Sequence, residues 1–96
     1  MKTYVGDRTI DGIVVTVDGK PLDNQIKRHC YSPAGFEWSY EGPAPSQLAF
    51  ALLVDHLGDD KKAEALQDRF MRDIVANFQN DWELTTADID RVLNTY

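Results

Sequence analysis

Between Leu48 and Val54 the chain reads Leu-Ala-Phe-Ala-Leu-Leu-Val, seven residues without one polar side chain. Ala and Leu favour the helix, and Pro45 suits a first helical turn because its missing N–H would have had no partner there. The segment therefore predicts a helix from Pro45 to about His56, stopped at Gly58. A helix that is apolar on every side has to be covered on every side. In a chain of 96 residues it becomes the centre around which the rest is arranged. Its apolar run is far shorter than the roughly twenty residues that span a bilayer, so no membrane partner is expected.

A second helix follows. Asp59 and Asp60 are placed to cap it, and Ala63, Leu66, Phe70, Ile74 and Phe78 recur at spacings of three and four, with Met71 and Val75 widening the stripe. The pattern predicts a helix from about Lys61 to Phe78 whose outer face carries the pairs Asp68–Arg72 and Arg69–Asp73, four residues apart. Gln79-Asn80-Asp81 breaks it, and Trp82 and Leu84 fall in a short extended link. Thr85 with Asp88 three residues on approaches a capping box for a last helix edged by Ile89, Val92 and Leu93.

The N-terminal part reads as strands. Tyr4-Val5 begins an extended run, and Asp11-Gly12 and Asp18-Gly19 are turn signals on either side of the β-branched run Ile13-Val14-Val15-Thr16-Val17. Leu22 to Tyr31 is compatible with a third strand or with a loop. Phe36-Glu37-Trp38-Ser39-Tyr40-Glu41 alternates strictly, which predicts a strand with Phe36, Trp38 and Tyr40 on one dry face and Glu37, Ser39 and Glu41 on the other. Strands first and helices afterwards make an α+β domain. The expectation is a single domain over residues 1–96, strand-rich over 1–41 and helical over 45–96, with a small antiparallel meander of three to four strands covered on one face by three helices.

Composition narrows the function classes. The net charge of −6 argues against direct nucleic-acid binding, which needs clustered Lys and Arg. The excess is regional: Met1–Pro45 holds six acids and five bases, whereas Ser46–Tyr96 holds ten acids and five bases. Lys27-Arg28-His29 with Tyr31 is the one basic-aromatic cluster, small against the overall charge. The single cysteine, Cys30, cannot close an intramolecular disulfide, and the polar N-terminus lacks the apolar core of a signal peptide. A cytoplasmic protein is expected.

No catalytic constellation is legible. His29, Cys30 and His56 have none of the spacings of a metal site, and phosphate-loop and nucleophile-elbow motifs are absent. Cys30 with His56 could serve nucleophilic catalysis only if the fold joined them, and Asp55-His56 sits where a histidine ordinarily meets helix-terminal carbonyls. No metal, cofactor or catalytic residue is expected. Two groups of residues are candidates for binding. Asp59, Asp60, Glu64, Asp68, Asp73, Asp88 and Asp90 form a prospective acidic face on the last two helices. Trp38, Tyr40 and Gln47 flank the Gly42–Pro45 turn, where a ligand or an interface could form.

The blocks "YVGDRT", "SPAGFEWSYEGPAPSQLAFALLVDHLGD" and "WELTTADID" resemble a family of small bacterial and phage proteins of unknown function that share a GFEW-type strand followed by a G-P…Q-L-A helix entry. The resemblance covers nearly the whole chain, and the middle block is its most specific part. It implies no activity, cofactor or catalytic residue. It does imply a context, the accessory genes of phages, plasmids and integrated elements. Small acidic proteins of that kind include inhibitors of host defence, anti-CRISPR proteins among them, some of which offer carboxylates where a basic groove expects phosphates. The leading expectation is thus a non-enzymatic protein-interaction domain whose partner is a protein, in the sharpest case a basic nucleic-acid-binding complex. The alternatives are a small-ligand binder or enzyme using the Trp38, Tyr40 and Gln47 region, and a structural homodimer.

Overall fold

A computed structural model describes residues 1–96, which gather into two compact units, Met1–Leu22 with Asn80–Tyr96 and Asp23–Gln79. The elements are four strands and three helices, so the fold is α+β.

The first unit is built on a hairpin. Strands β1 (Thr3–Thr9) and β2 (Gly12–Val17) pair antiparallel from Tyr4↔Val17 to Thr9↔Gly12. Their turn is centred on Ile10-Asp11, one residue before the predicted pair, and the Thr9 hydroxyl closes it by donating to the Gly12 carbonyl at 2.8 Å. Asp18-Gly19 turns the chain again. Both residues have positive φ, 50° and 81°, as a two-residue turn matching the strand twist requires. A two-residue strand β3 (Lys20–Pro21) returns along β2, with Pro21 opposite Thr16, where no N–H is asked of it, and the Leu22 N–H still donates to the Val15 carbonyl at 3.0 Å.

The fourth strand comes from the other end of the chain. Trp82–Thr85, expected as a link, is β4, and it pairs antiparallel with β1 from Thr3↔Thr85 to Gly6↔Trp82, giving the open order β3-β2-β1-β4. The register sets Trp82 across from Gly6. A Cβ built on Gly6 would stand 2.3 Å from the indole Cε2 and Nε1, so the ring lies on the backbone where any other residue would put a side chain. Tyr4, Val15, Trp82 and Leu84 are buried, whereas Val14 faces outward. Helix α3 (Thr86–Leu93) follows β4 directly. The Thr85 hydroxyl accepts from the Asp88 N–H at 3.1 Å and the Asp88 carboxylate accepts from the Thr85 N–H at 2.9 Å, so the predicted capping box is complete.

The second unit is a helical pair with a long leading segment. Helix α1 (Pro43–Leu57) is buried from Pro45 to Val54, as its sequence requires, and starts two residues earlier than expected, with Pro43 in the first turn. Leu48, Phe50, Leu52 and Leu53 are wholly buried, each such side chain contributing about 1.5–3 kcal/mol by leaving water. Gly58 and Asp59 join α1 to helix α2 (Asp60–Asp73), which packs against it. The Asp59 carboxylate accepts from the Lys62 N–H at 3.1 Å, the expected cap. Helix α2 ends earlier than its periodicity predicts. The Asn77 side-chain amide donates to the carbonyls of Asp73 at 2.9 Å and Arg72 at 3.3 Å, and Val75–Asn77 tightens into a 3-10 turn.

Residues 36–41 are not a strand. Ser39 has a φ of 79°, and it is pinned by its N–H to the Val75 carbonyl at 3.1 Å and by its hydroxyl to the Phe78 carbonyl at 2.6 Å. These bonds to the end of the helical pair take the place of a ladder. The aromatic stripe dissolves accordingly: Trp38 is fully buried and Tyr40 is 49% exposed.

Candidate functional site

The segment left open by its sequence, Leu22 to Tyr31, is a loop beyond Leu22, and it carries the most unusual construction in the molecule. Asp23 and Asn24 begin it with two successive side-chain turns. The Asp23 carboxylate accepts from the Gln25 N–H at 2.9 Å, and the Asn24 side-chain oxygen accepts from the Ile26 N–H at 3.0 Å. Gln25 takes a positive φ of 59°, which lets its carbonyl receive the N–H groups of Arg28 at 3.0 Å and His29 at 3.1 Å. A local turn results, but one with no strand or helix on which to rest.

Gln47, in the first turns of α1, supplies the rest. Its side chain is wholly buried, and its amide is used to capacity. The oxygen accepts from the Tyr31 N–H at 2.7 Å and the Ser32 N–H at 3.2 Å, while the nitrogen donates to the Asn24 carbonyl at 2.7 Å and the His29 carbonyl at 3.0 Å. One side chain thus closes the backbone of the loop at both ends. Because two donors face one end of the amide and two carbonyls the other, its orientation is fixed.

Side chains brace the outside. The rings of His29 and Tyr31 stack at 4.0 Å with 12° between their planes, and both meet Phe50 of α1, at 5.8 and 5.5 Å. His29 Nδ1 contacts the Glu64 carboxylate, and Arg28 lies 3.7 Å from Asp60, both acids belonging to α2. Burial pushes the Tyr31 phenol above its ordinary pKa, and the nearby Glu64 carboxylate adds to the rise. The loop also borders a half-open concave space of about 420 Å³ lined by Asp23, Asn24, Gln25, Lys27 and Arg28.

The residues of the prospective acidic face are distributed over both units. Asp59, Asp60, Glu64, Asp68 and Asp73 belong to α2 and its cap, Asp88 and Asp90 to α3. Asp60, Glu64 and Asp68 share one helical row. Asp59 is engaged as a cap, Asp60 faces Arg28, Glu64 faces His29, Asp68 pairs with Arg72 and Asp73 lies 3.6 Å from Arg69. Hydrogen bonds from the Thr85 backbone and side chain hold the Asp88 carboxyl below its ordinary pKa, with Arg91, at 3.1 Å, helping. Of the other candidates, Trp38 and Gln47 are inside and Tyr40 is outside. Its place at a helix entry makes Gln47 legible in the sequence, while its bonding partners leave no local signal: all four are backbone groups fifteen to twenty-three residues away.

Cys30 is exposed and carries a free thiol, and no three His, Cys, Asp or Glu side chains are grouped as a metal would need. No helix is long and apolar enough to cross a membrane. Neither a curated protein nor a solved structure matches the chain. A family model does match it, over residues 4–95, which include both the hairpin and the Gln47-held loop, and the chain therefore belongs to DUF6166, a family of unknown function.

Proposed function

We propose that the protein is a non-enzymatic interaction domain that presents the Asp23–Ser32 loop, together with the adjoining charged side of α2, to a partner protein. One observation carries this reading: a completely buried glutamine spends all four of its hydrogen bonds on the backbone of an exposed polar loop. A loop ordered in advance gives up little conformational freedom when it binds, which favours recognition by surface rather than by enclosure.

A sharper form of the reading makes the protein an accessory factor of a phage or mobile element that blocks a basic nucleic-acid-handling or defence complex, anti-CRISPR fashion, with its acidic face. That form depends on carboxylates free to mimic phosphates. The cations beside Asp60, Asp68 and Asp73 offset much of the charge it needs, so the loop is the better-supported contact.

The experiment is affinity capture by the tagged protein from a bacterial lysate, run beside two variants, Lys27→Glu/Arg28→Glu and Glu64→Gln/Asp68→Asn/Asp73→Asn/Asp90→Asn. A partner retained by the wild type and the second variant but lost with the first upholds the loop. Loss only with the second variant transfers the function to the acidic face. Capture of nothing specific, with self-association in sedimentation, replaces the proposal with a homodimer.

A further inference from the structure

The lining of the concave space is weighted towards side-chain donors. Several of its acceptors are engaged within the loop: Asp23 holds the Gln25 N–H, the Asn24 side-chain oxygen holds the Ile26 N–H, the Gln25 backbone carbonyl holds Arg28 and His29, and the Asn24 backbone carbonyl holds Gln47. Its donors are not. The Asn24 and Gln25 side-chain NH₂ groups make no hydrogen bond, Lys27 makes no ion pair, and Arg28 has only the contact at 3.7 Å to Asp60, too long for a hydrogen bond. Two cations stand against one lining carboxylate, in a chain whose net charge is −6.

We infer that this space is a binding site for a phosphate monoester. A group of four donor-bearing side chains around one concavity suits an oxyanion, and the number and spread of donors fit a tetrahedral phosphate of charge near −2 better than a planar carboxylate, which one Arg fork would satisfy. The volume of about 420 Å³ leaves room for the organic part of a small molecule or for the side chain of a phosphorylated residue. Gln47 has the positioning role, since it sets the backbone on which Asn24 and His29 stand. Asp60 limits the site by competing for Arg28, and phosphate binding shifts the Arg28 guanidinium from Asp60 to the ligand. The site does not depend on a partner protein docking on the loop.

The test is a titration of the full ¹⁵N-labelled chain followed by backbone amide shifts at constant ionic strength, with inorganic phosphate, acetate and chloride as separate arms. Phosphate is expected to move the amides of Asn24, Gln25, Lys27 and Arg28 saturably, and Lys27→Gln is expected to weaken that binding about tenfold, the effect of removing one charge-assisted contact. Asp60→Asn is expected to strengthen it, a change that a loss of folding could not produce. Glycerol 3-phosphate and a phosphoserine peptide then assign the source: tighter binding of either upholds the site and identifies a metabolite or a modified protein. No saturable shift with phosphate, or acetate binding as tightly, overturns the inference. That outcome leaves the capture result of the preceding section standing and so separates the two.

Discussion

The β1–β2 hairpin and the Asp23–Ser32 loop are near neighbours in sequence and are ordered by opposite means. The hairpin satisfies its backbone by ladders: β1 and β2 pair with each other, β4 and β3 pair with their outer sides, and the Thr9 hydroxyl closes the turn between them. The loop has no ladder, and it borrows a buried side chain from a helix that begins more than ten residues later. The difference teaches where surface geometry can be varied. A hairpin's shape follows from its strands and turn type, whereas a loop held at its base by one amide can change the side chains it displays without changing its path.

The largest expected effect comes from removing the borrowed clamp. Gln47→Leu leaves two N–H groups and two carbonyls without partners and should lower the unfolding free energy by about 2–4 kcal/mol in chemical denaturation, with amide exchange accelerated first at Tyr31 and Ser32. If exchange rises equally in the hairpin, the loop is not separately held. The hairpin has its own breaking point. Gly6→Ala drives a methyl group into the Trp82 ring and should cost about 2–3 kcal/mol, part of it recovered when Trp82→Leu is added, since the two changes share one contact. Additive losses would show that the indole does not lie on Gly6.

A second buried glutamine sharpens the contrast. Gln67 lies on the inward side of α2, and its side-chain oxygen is buried with no hydrogen-bond partner. Burial of an amide stabilises only when the amide is satisfied. Gln67→Met should therefore raise the unfolding free energy by about 1 kcal/mol, opposite in sign to the change at Gln47, and a loss on thermal melting would place an unrecognised polar role there. The smallest effect concerns the α3 cap. Asp88 has its pKa lowered by Thr85 and Arg91, so its contribution is present above the unfolded carboxylate value of about 4 and is lost as pH falls through the lower folded value. Asp88→Ala should cost about 1 kcal/mol at neutral pH and flatten the acid limb of the stability profile; an unchanged limb would remove the capping box from that role.

Local signals in the sequence were legible because their physics is local. The apolar run of α1, the stripe of α2, the Asp59 cap and the Thr85–Asp88 box each lie within a few residues, and each is present in the structure. Long-range pairings left little trace. Strand β4 is four residues long and pairs with residues some eighty positions away, so Trp82 and Leu84 alone resembled a link. Conversely, Phe36-Glu37-Trp38-Ser39-Tyr40 imitates a strand, yet the positive φ at Ser39 and its bonds to Val75 and Phe78 override the alternation. The candidate site was visible as Gln47 and as the cluster Lys27-Arg28-His29. Their connection was not visible, because a side chain bonded to remote backbone leaves no pattern in side-chain order.

The pairing of β1 with β4 also dictates a timetable. Asp23–Gln79 is one uninterrupted stretch, rich in contacts between near neighbours, and can assemble while the chain is still emerging from the ribosome. The sheet cannot. Strands β1 and β4 lie on either side of that whole stretch in sequence, so closing the sheet requires a long loop, and one side of β1 stays an open edge until Trp82–Thr85 pairs with it. Until that pairing is made, the free side of β1 is a template on which another strand could mispair.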